Sequence, residues 1–470
     1  MSETIYDLIV IGAGPGGYVA AIRAAQLGFS VAVVEKRSSL GGVCLNEGCI
    51  PSKALLESSE HFFKINHELA EHGIEVRETK LNLEQMMARK QGIIDKLTGG
   101  IAGLFKKNNI IAITGQAQLE AGDETLKKVK ITSGKETQQI TAKAVLLATG
   151  SEAIELPHLP FDGKTVINAR DALSLSQVPQ RLMVVGGGVI GLEMGSVWNR
   201  LGSKVTVVEM LPQIIPQTDP QIAQTLQRSL KKQGLDILTK TRLDKIEETK
   251  EGILAHLSTA KGEQQVVCDQ VLVATGRRAQ TEGLGLDNVG LQVNEQGQLD
   301  VDENYQTAVP GIYAIGDLVP GLMLAHKASE EGVVFAERLA GQKAAVNYQT
   351  IPAVTYTWPE VATVGHNEDE LKEQNIAYKA GKFYFAASGR ALCNGMSDGF
   401  VKVLADPDSG RILGIHIVGP HASELIAEAT TVMSFSGSVH DLAVTCHAHP
   451  TLAEVLREAA LAVNKEAIHA

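Results

Sequence analysis

Two cysteines, Cys44 and Cys49, stand five residues apart and are the residues of this chain best suited to redox chemistry. In a reducing compartment, a close pair of cysteines is more often catalytic or metal-binding than structural. A zinc site needs four ligands, and no second pair of Cys or His residues follows at zinc spacing. The pair therefore predicts a disulfide that exchanges electrons, with a metal site and an inert structural disulfide as the weaker alternatives.

The spacing of the two cysteines constrains the backbone between them. A disulfide requires Cα atoms roughly 4.4–6.8 Å apart, whereas five residues of regular α-helix advance about 7.5 Å. Gly48 lies between the cysteines and Pro51 follows them, so we expect a bend, with regular helix starting within residues 50–53. Pro51 then falls in the first turn, where its missing N–H costs nothing, and the helix dipole would favour the thiolate of Cys49. The effect of Glu47 does not follow from the sequence.

The residues before the cysteines predict a nucleotide-binding unit. A strand is expected over residues 7–11, then a glycine turn, an Ala-rich helix, and a second strand over 30–34 that ends at Glu35. The glycines allow a tight turn, close approach of a pyrophosphate, and packing of helix on strand. The helix N-terminus offers N–H groups to phosphates, and Glu35 would accept hydrogen bonds from ribose hydroxyls. The three glycines of the G-x-G-x-x-G pattern are Gly12, Gly14 and Gly17.

The same pattern recurs in the middle of the chain. Strands are expected over residues 181–185 and 203–208, with a helix over 192–201 between them and Glu209 at the end. From first glycine to terminal acid, Gly12 to Glu35 and Gly186 to Glu209 are both 23 residues. One fingerprint alone is a weak signal, but two in register predict two dinucleotide sites. The second turn contains Gly186, Gly188, Val189, Ile190 and Gly191.

Two dinucleotide sites beside a redox pair of cysteines favour FAD and NAD as the cofactors, because a flavin passes two electrons between a hydride and a thiol couple. Glu209 favours NAD over NADP, whose site would more often carry an arginine. Further strands end at Gly150 and Gly276, and another leads through residues 312–315 to Asp317. An acid at that position could hold a ribityl hydroxyl of a flavin; the alternative is an N-cap of the following helix.

Length and composition narrow the class of protein. A chain of 470 residues predicts two to four domains, and 44% hydrophobic with 21% charged residues is ordinary for a soluble protein. The net charge of −11 argues against a nucleic-acid surface. No apolar run reaches the roughly 18 residues of a membrane helix, and the first residues lack the cationic region of a signal peptide. We therefore expect a cytoplasmic protein, in which Cys268, Cys393 and Cys446 are buried or half-buried thiols.

Together with the C-terminal run from His447 to Glu454, these motifs resemble the pyridine nucleotide–disulfide oxidoreductases over essentially the whole chain. The resemblance implies an α/β fold with two Rossmann-like dinucleotide-binding domains, the NAD domain being inserted in the FAD domain, and an α+β C-terminal dimerisation domain. The implied boundaries are an FAD-binding domain over 1–150, an NAD-binding domain over 151–277, a central domain completing the FAD site over 278–349, and a dimerisation domain over 350–470.

Within that family the chain is similar to the dihydrolipoamide dehydrogenases. The similarity implies that Cys44 exchanges with dihydrolipoamide and that Cys49 passes electrons to FAD and then to NAD⁺. The dithiol would arrive on the lipoyl-bearing acyltransferase of a 2-oxo acid dehydrogenase complex, or on a glycine-cleavage carrier protein. A base is needed to form the thiolate, and histidine suits that task near pH 7. His449, oriented by Glu454, is expected to be this base, reaching the cysteines of the other subunit in a homodimer.

The resemblance also implies the remaining cofactor contacts. Lys53 is expected near the flavin, paired with Glu193, and Val189 stands where glutathione reductases place a tyrosine over the nicotinamide pocket. Further contacts are implied at Ala117 and Ala325.

Other readings of the sequence are weaker. A glutathione reductase would use NADP, which Glu209 opposes, and a mercuric reductase would end in vicinal cysteines, which this chain lacks. A transhydrogenase of this fold would lack the Cys44–Cys49 pair. Two hypotheses concern proteins that are not enzymes. A structural subunit of a large assembly would have lost the cysteines or His449, which this chain keeps. An NAD(H) sensor would bind the nucleotide without turnover.

Overall fold

The structure, a computed structural model, describes residues 5–123 and 125–469. Its α-helices are α1 (Pro15–Gln26), α2 (Gly42–Glu47), α3 (Cys49–His67), α4 (Leu83–Lys107), α5 (Ala169–Ala172), α6 (Val189–Arg200), α7 (Pro220–Lys232), α8 (Ala325–Leu339), α9 (Glu368–Glu373), α10 (Gly389–Cys393), α11 (Ala422–Ser434), α12 (Val439–Val444) and α13 (Glu454–Val463).

The strands of the first half of the chain are β1 (Ile5–Ile11), β2 (Val31–Glu35), β3 (Ile111–Thr114), β4 (Gln116–Glu120), β5 (Lys127–Ser133), β6 (Glu136–Leu147), β7 (Ser151–Ala153), β8 (Val166–Ile167), β9 (Arg181–Val185), β10 (Lys204–Val208) and β11 (Asp236–Leu238). Those of the second half are β12 (Thr241–Thr249), β13 (Gly252–Thr259), β14 (Gly262–Cys268), β15 (Gln270–Val273), β16 (Arg277–Ala279), β17 (Ile312–Ala314), β18 (Ala353–Thr355), β19 (Glu360–Gly365), β20 (Lys379–Tyr384), β21 (Phe400–Ala405) and β22 (Ile412–Gly419).

The chain divides into two compact units. The first unit consists of Met1–Leu55, Asn82–Ile154 and Gly276–Val346. The second unit consists of Leu56–Leu81, Glu155–Thr275 and Asn347–Ala470. The four domains and three boundaries expected from the sequence stay a prediction.

The first unit is built on a sheet with the strand order β3-β2-β1-β6-β5-β4, and β17 pairs with β6. Strands β1, β2, β3, β6 and β17 run parallel. Leu8 and Val10 of β1 lie in one hydrophobic cluster, while Ile9 and Ile11 lie in another. The sheet is therefore buried on both faces, which explains why its strands are continuous runs of apolar residues.

Helices α1 and α8 pack closely on one face of this sheet. The backbone of Gly16 leaves no room for a side chain opposite it, because a Cβ at Gly332 would lie 2.6 Å from the Gly16 carbonyl oxygen. Ala20 and Phe335, from the two helices, belong to the same buried cluster. This tight contact holds the first glycine turn, at the start of α1, in a fixed place above the ends of the parallel strands.

The second unit contains a parallel sheet with the order β11-β10-β9-β15-β8 and a three-stranded antiparallel sheet, β12-β13-β14. Met183 of the parallel sheet and Leu257 of the antiparallel sheet share one hydrophobic cluster. A further antiparallel sheet, β18-β19-β22-β21-β20, forms another core with α11 and α13. The predicted α/β class, with a parallel sheet behind each glycine fingerprint, is confirmed.

The predicted elements differ from the observed ones mainly at their ends. Helix α6 starts at Val189, three residues before its predicted start, because the extended backbone of Gly188 (ψ −178°) already serves as its N-cap. Strand β2 includes Glu35 as its last residue. Cys393 and Cys446 are exposed, so the expectation that they are buried or half-buried was wrong, whereas Cys268 is buried. None of the described helices is long and apolar enough to cross a membrane.

Candidate active site

The two cysteines of the predicted redox pair lie in two successive helices. Cys44 is in α2, and α3 begins at Cys49, after Gly48 breaks the helix with φ −139° and ψ −114°. A Cβ at Gly48 would lie 3.1 Å from the carbonyl oxygen of Val43, so the break packs directly against α2. The predicted bend is present, and the helix starts one residue before the predicted range.

The side chains of Cys44 and Cys49 touch, and the structure records both residues as thiols. The hydrogen bond to the Cys49 sulfur and the burial of Cys44 raise the pKa of the Cys44 thiol far above its ordinary value, and the positive charge of Lys53 opposes that rise. Two sulfurs in contact can form a disulfide by a small movement, which is the geometry that reversible dithiol chemistry requires.

Helix α2 rests on the first glycine turn. The N–H of Gly41 donates to the carbonyl oxygen of Ala13 at 2.8 Å. A Cβ at Gly42, whose φ is +60°, would lie 2.6 Å from the Cα of Gly14. This close approach of two backbones brings the dithiol directly beside the loop that is predicted to hold a dinucleotide.

The two glycine fingerprints have the same geometry. Gly12 and Gly186 have φ values of +101° and +112°, and a Cβ on either would lie within 2.5 Å of a carbonyl oxygen on the neighbouring strand return. The third glycines, Gly17 and Gly191, would place a Cβ only 1.9 Å and 2.1 Å from the carbonyl oxygens of Gly12 and Gly186. Only glycine fits at these four positions, so both turns are built for close packing of helix on strand.

The terminal acids hold these turns. One carboxylate oxygen of Glu35 accepts a hydrogen bond from the N–H of Ala13 at 2.8 Å, and the other accepts from the N–H of Arg37 at 3.0 Å. Glu209 accepts in the same way from Gly187 and Leu211, both at 2.7 Å. Each oxygen keeps a second lone pair, which a ribose hydroxyl could use.

The structure offers phosphate sites at the starts of α1 and α6. Their N-cap residues, Gly14 and Gly188, provide no side chain, and in the described part of the chain neither helix has an acidic residue in its first turn. The first N–H groups of these helices are therefore open to an anion, which the helix dipole also favours. Both sites fit a dinucleotide pyrophosphate.

Asp317, predicted to hold a flavin, belongs to a short 3₁₀ turn, Gly316–Leu318, and is not an N-cap, since Leu324 caps α8. Its carboxylate accepts a hydrogen bond from the hydroxyl of Ser151. Arg277 donates to the same hydroxyl at 2.8 Å and to the carbonyl oxygen of Ser151 at 2.5 Å. Burial lowers the pKa of Arg277, although the charge of Asp317 opposes that shift.

Ser151 and Arg277 were not predicted from the sequence as site residues. Both follow the strand returns that end at Gly150 and Gly276, so their closeness to a predicted cofactor residue was the signal that could have found them. Nor was the buried pair Lys327–Glu331, whose charged atoms are 2.9 Å apart. These side chains bond the carbonyl oxygen and the N–H of Gly316, at 3.1 Å and 2.7 Å, and so fix the turn that carries Asp317.

The other predicted cofactor residues occupy varied environments. The side chain of Ala117 is buried in the core, so only its backbone could meet a ligand. Ala325 and Val189 are the first residues of α8 and α6. Glu193 is buried in α6, and its carboxylate accepts from the N–H of Tyr356 at 3.0 Å. The backbones of Gly150 and Gly276 have positive φ values of +72° and +147°. Ile190, near the start of α6, is partly buried.

The predicted base belongs to the second unit. Nδ1 of His449 donates to one carboxylate oxygen of Glu454 at 2.9 Å, and the N–H of Thr451 donates to the other oxygen at 2.8 Å. Burial opposes ionisation of Glu454, but these two partners outweigh it and lower its pKa. The His449 side chain is 80% exposed, so Nε2 is the nitrogen that remains for proton transfer.

Among the residues that the structure describes, no group of three or more His, Cys, Asp or Glu side chains could hold a metal.

Comparison with known proteins agrees with this geometry. Residues 6–332 match the family described as pyridine nucleotide-disulphide oxidoreductase, and residues 351–460 match its dimerisation domain. The dihydrolipoamide dehydrogenase of Chaetomium thermophilum is 48% identical over 100% of this chain and 93% of its own length. Dihydrolipoyl dehydrogenase 3 of Pseudomonas putida is 48% identical over 98% of both chains.

A solved structure gives the same result. The crystal structure of LpdA from Mycobacterium tuberculosis superposes with a TM-score of 0.90 at 29% identity, covering 96% of this chain and 98% of that one. Sequence motifs, paired glycine turns, a touching pair of cysteines and these matches agree over nearly the full length. The chain belongs to the pyridine nucleotide-disulphide oxidoreductase family.

Proposed function

We propose that this protein is an NAD-dependent dihydrolipoamide dehydrogenase. The observation that carries the proposal is the contact between Cys44 and Cys49, with the helix that carries Cys44 resting on the first glycine turn. A redox dithiol held beside one dinucleotide site, in a chain with a second such site, suits electron transfer from a thiol substrate to a nicotinamide. The names of the 48% identical relatives support dihydrolipoamide as that substrate.

The proposed exchange balances in atoms and electrons. In the oxidised enzyme, one thiolate of dihydrolipoamide attacks the Cys44 sulfur, the Cys44–Cys49 bond breaks, and Cys49 leaves as a thiolate. The second sulfur of the substrate then attacks the mixed disulfide, which closes the lipoamide ring and releases Cys44. The substrate loses two electrons and two protons: the two cysteines take up the electrons, and the base takes the protons in turn and passes them to the released Cys44 thiolate and to solvent. FAD, which the first glycine turn would hold, would supply the two-electron chemistry that links this dithiol to NAD⁺.

The residues of the chain would act around that exchange. The first glycine turn and Glu35 would hold FAD, with Asp317 at the ribityl chain and Lys53 near the flavin ring. The second turn and Glu209 would hold NAD⁺, and the carboxylate of Glu209 would repel the 2′-phosphate of NADP. Lys53 also lies close enough to Cys44 for its charge to stabilise the thiolate, which supports a place for it beside the dithiol.

His449 is proposed as the base that takes the proton from the dithiol substrate. The hydrogen bond of Glu454 to Nδ1 fixes the ring and stabilises the imidazolium that forms. The exposure of His449 supports a role toward a second subunit, and the match to a dimerisation domain supports a homodimer. In that dimer, each His449 would serve the cysteines of the partner. The lipoyl-bearing acyltransferase of a 2-oxo acid dehydrogenase complex, or a glycine-cleavage carrier protein, would deliver the substrate.

The proposed location is the cytoplasm. Its support is that the chain has five cysteines, of which only Cys44 and Cys49 are close in sequence, too few for the disulfide scaffold of a secreted protein, and that its relatives include a bacterial protein from Pseudomonas putida. Other relatives, such as one from Pisum sativum, are named as mitochondrial. Fractionation of the source cells would decide between the two compartments.

An absorbance assay with purified protein tests the activity. Dihydrolipoamide and NAD⁺ should yield NADH, and Cys44→Ser should abolish that reaction while the protein stays yellow. Cys393→Ser, which changes an exposed cysteine outside the predicted redox pair, is the matched control and should keep wild-type turnover. Turnover with NADPH and glutathione disulfide, without NADH formation from dihydrolipoamide, would show that the protein is a glutathione-type reductase instead.

A further inference from the structure

Glu47, the residue between the two cysteines, forms an ion pair with Arg37. Its two carboxylate oxygens accept from Nη1 and Nη2 of Arg37 at 2.5 Å and 2.9 Å. This fork-to-fork arrangement is the strongest form of an arginine–carboxylate contact. Both side chains are only partly exposed, at 26% and 18%, so the pair is better shielded from water than an ordinary surface ion pair.

We propose that the Arg37–Glu47 pair is a positioning device that holds α2, the helix that carries Cys44, against the predicted FAD turn and neutralises the carboxylate that lies between the two cysteines in the chain. The inference deepens the proposed function, on which it rests for its catalytic meaning. The pair is proposed to control the reactivity of Cys44 and Cys49, and that reactivity can be measured without any substrate.

The position of Arg37 supports this role. Its backbone N–H donates to Glu35 at 3.0 Å, and its guanidinium binds Glu47. Glu35 in turn accepts from the N–H of Ala13 in the first glycine turn at 2.8 Å. A continuous set of hydrogen bonds therefore runs from the nucleotide turn, through Glu35 and Arg37, to the last residue of α2.

The connection between β2 and α2 needs such contacts, because residues 36–41 contain no helix or strand. A second side chain holds the same turn of α2: Asn46 donates to the carbonyl oxygens of Leu40 and Gly42 at 3.0 Å and 2.8 Å. Asn46 holds α2 to the segment before it, whereas Glu47 connects that turn to the Glu35 side chain through Arg37. The two contacts therefore have different functions.

The charge of Glu47 also needs compensation. It lies at the C-terminal end of α2, where the helix dipole disfavours an anion, and it is three residues from Cys44 and two from Cys49. The hydrogen bond from Arg37 to Glu47 raises the pKa of Arg37, although burial opposes that shift. A carboxylate charge between the two cysteines in the chain disfavours a thiolate on either of them. The bidentate bond from Arg37 offsets that charge.

The other ionisable groups close to the sulfurs can be named. Burial and the nearby Cys44 raise the pKa of Tyr18 in α1, and Lys53 in α3 favours the Cys44 thiolate. The charges of Cys49 and Glu47 both act on Arg277. Arg37 makes two hydrogen bonds to the Glu47 carboxylate, so its removal should change the environment of the dithiol.

The test is site-resolved alkylation of the reduced protein. Iodoacetamide is added over a pH series, and mass spectrometry reports the rates at Cys44 and Cys49 separately. Arg37→Met should shift the midpoint of the pH profile upward by about one unit and slow alkylation at pH 7 roughly tenfold, because Glu47 loses its bidentate bond to the guanidinium and the charge of Arg37 is gone. Arg37→Met with Glu47→Gln should return the rate to within about twofold of the wild type.

Glu47→Gln provides a second test of the ion pair if Arg37→Met folds poorly. Glu47→Gln alone retains a partner for Arg37 but leaves the guanidinium charge uncompensated, so it should shift the midpoint downward. The matched control is Arg23→Met, which breaks a similar ion pair with Glu337 between α1 and α8, and it should leave the profile unchanged. Equal midpoints for Arg37→Met, Glu47→Gln and the wild type would overturn the proposal. If the wild type did not oxidise dihydrolipoamide at all, that result would count only against the proposed function and not against the role of the ion pair.

Discussion

Glu35 and Glu209 occupy equivalent places in two separate nucleotide folds. Each buried carboxylate accepts from the N–H of the residue after the first glycine of its own fingerprint, at 2.8 Å and 2.7 Å. Each carboxylate also accepts from the N–H of the residue two positions after the acid itself, which is Arg37 for Glu35 and Leu211 for Glu209. Both turns are therefore held in shape by the folded chain itself, and a ribose would bind to acids that are already oriented.

The equivalence predicts that each acid serves one nucleotide only. Glu209→Gln should raise the KM for NAD⁺ roughly tenfold, because hydrogen bonds to charged groups contribute about 1.5–3 kcal/mol, and it should leave the visible absorbance of the flavin unchanged. Glu35→Gln should weaken FAD retention during dialysis, with an unchanged KM for NAD⁺ in the fraction that keeps FAD. If either variant changed both nucleotides equally, the assignment of one acid to each site would be wrong.

The second fingerprint allows packing and ligand approach to be separated. A Cβ at Gly191 would lie 2.1 Å from the carbonyl oxygen of Gly186, whereas a Cβ at Gly188 meets nothing within 4 Å. Gly191→Ala should therefore destabilise the fold by about 1–3 kcal/mol, seen as a lower midpoint of urea unfolding. Gly188→Ala should keep the wild-type midpoint but raise the KM for NAD⁺, because its methyl group would meet the pyrophosphate. Equal unfolding midpoints for both variants would contradict this division of roles.

The sequence was sufficient for the parts of the site that depend on local spacing. The two fingerprints, their terminal acids, the bend at Gly48 and the pairing of His449 with Glu454 all follow from residues close together in the chain. The contact of Arg277 and Asp317 with Ser151 joins segments 126 and 166 residues apart, and such pairings depend on how strands assemble. Arg37–Glu47 was missed for another reason, since residues 36–41 have no periodicity from which a direction could be inferred.

A buried ion pair in the second unit gives a prediction for stability. Nζ of Lys402 lies 2.7 Å from Asp219 and 3.1 Å from Glu368, and Asp219 also caps α7. Lys402→Met should destabilise the protein by about 3–5 kcal/mol, because it leaves the Asp219 carboxylate buried without its cation. Lys402→Met with Asp219→Asn should recover much of that loss, because the amide can still cap the helix. Urea unfolding at pH 7 measures both, and a double variant as unstable as the single one would contradict the argument.

The same pair sets a pH dependence. Burial opposes ionisation of Asp219, but the bond to Lys402 and the other contacts outweigh it, and its pKa lies below the ordinary value of 3.8. A carboxyl with a lowered pKa in the folded state contributes stability above its unfolded pKa and loses it as the pH falls through the folded pKa. The wild type should therefore lose stability between about pH 5 and pH 2. The Lys402→Met, Asp219→Asn double variant should lose less over that interval.

His449 gives the most direct test of the proposed chemistry. His449→Gln should slow oxidation of dihydrolipoamide by about 10²–10⁴-fold, the usual contribution of a general base, without loss of flavin. Glu454→Gln should have a smaller effect, because the base remains and only its orientation and charge partner are weakened. Stopped-flow mixing of the oxidised enzyme with dihydrolipoamide isolates this step from the reaction with NAD⁺. His440→Gln, which changes another histidine of the C-terminal region, is the control, and dihydrolipoamide should reduce this variant as fast as the wild type.

Raising the pH should partly restore the rate at which dihydrolipoamide reduces His449→Gln, because the substrate thiol then ionises without help. A variant that stayed equally slow at every pH would show that His449 positions the substrate and does not take its proton.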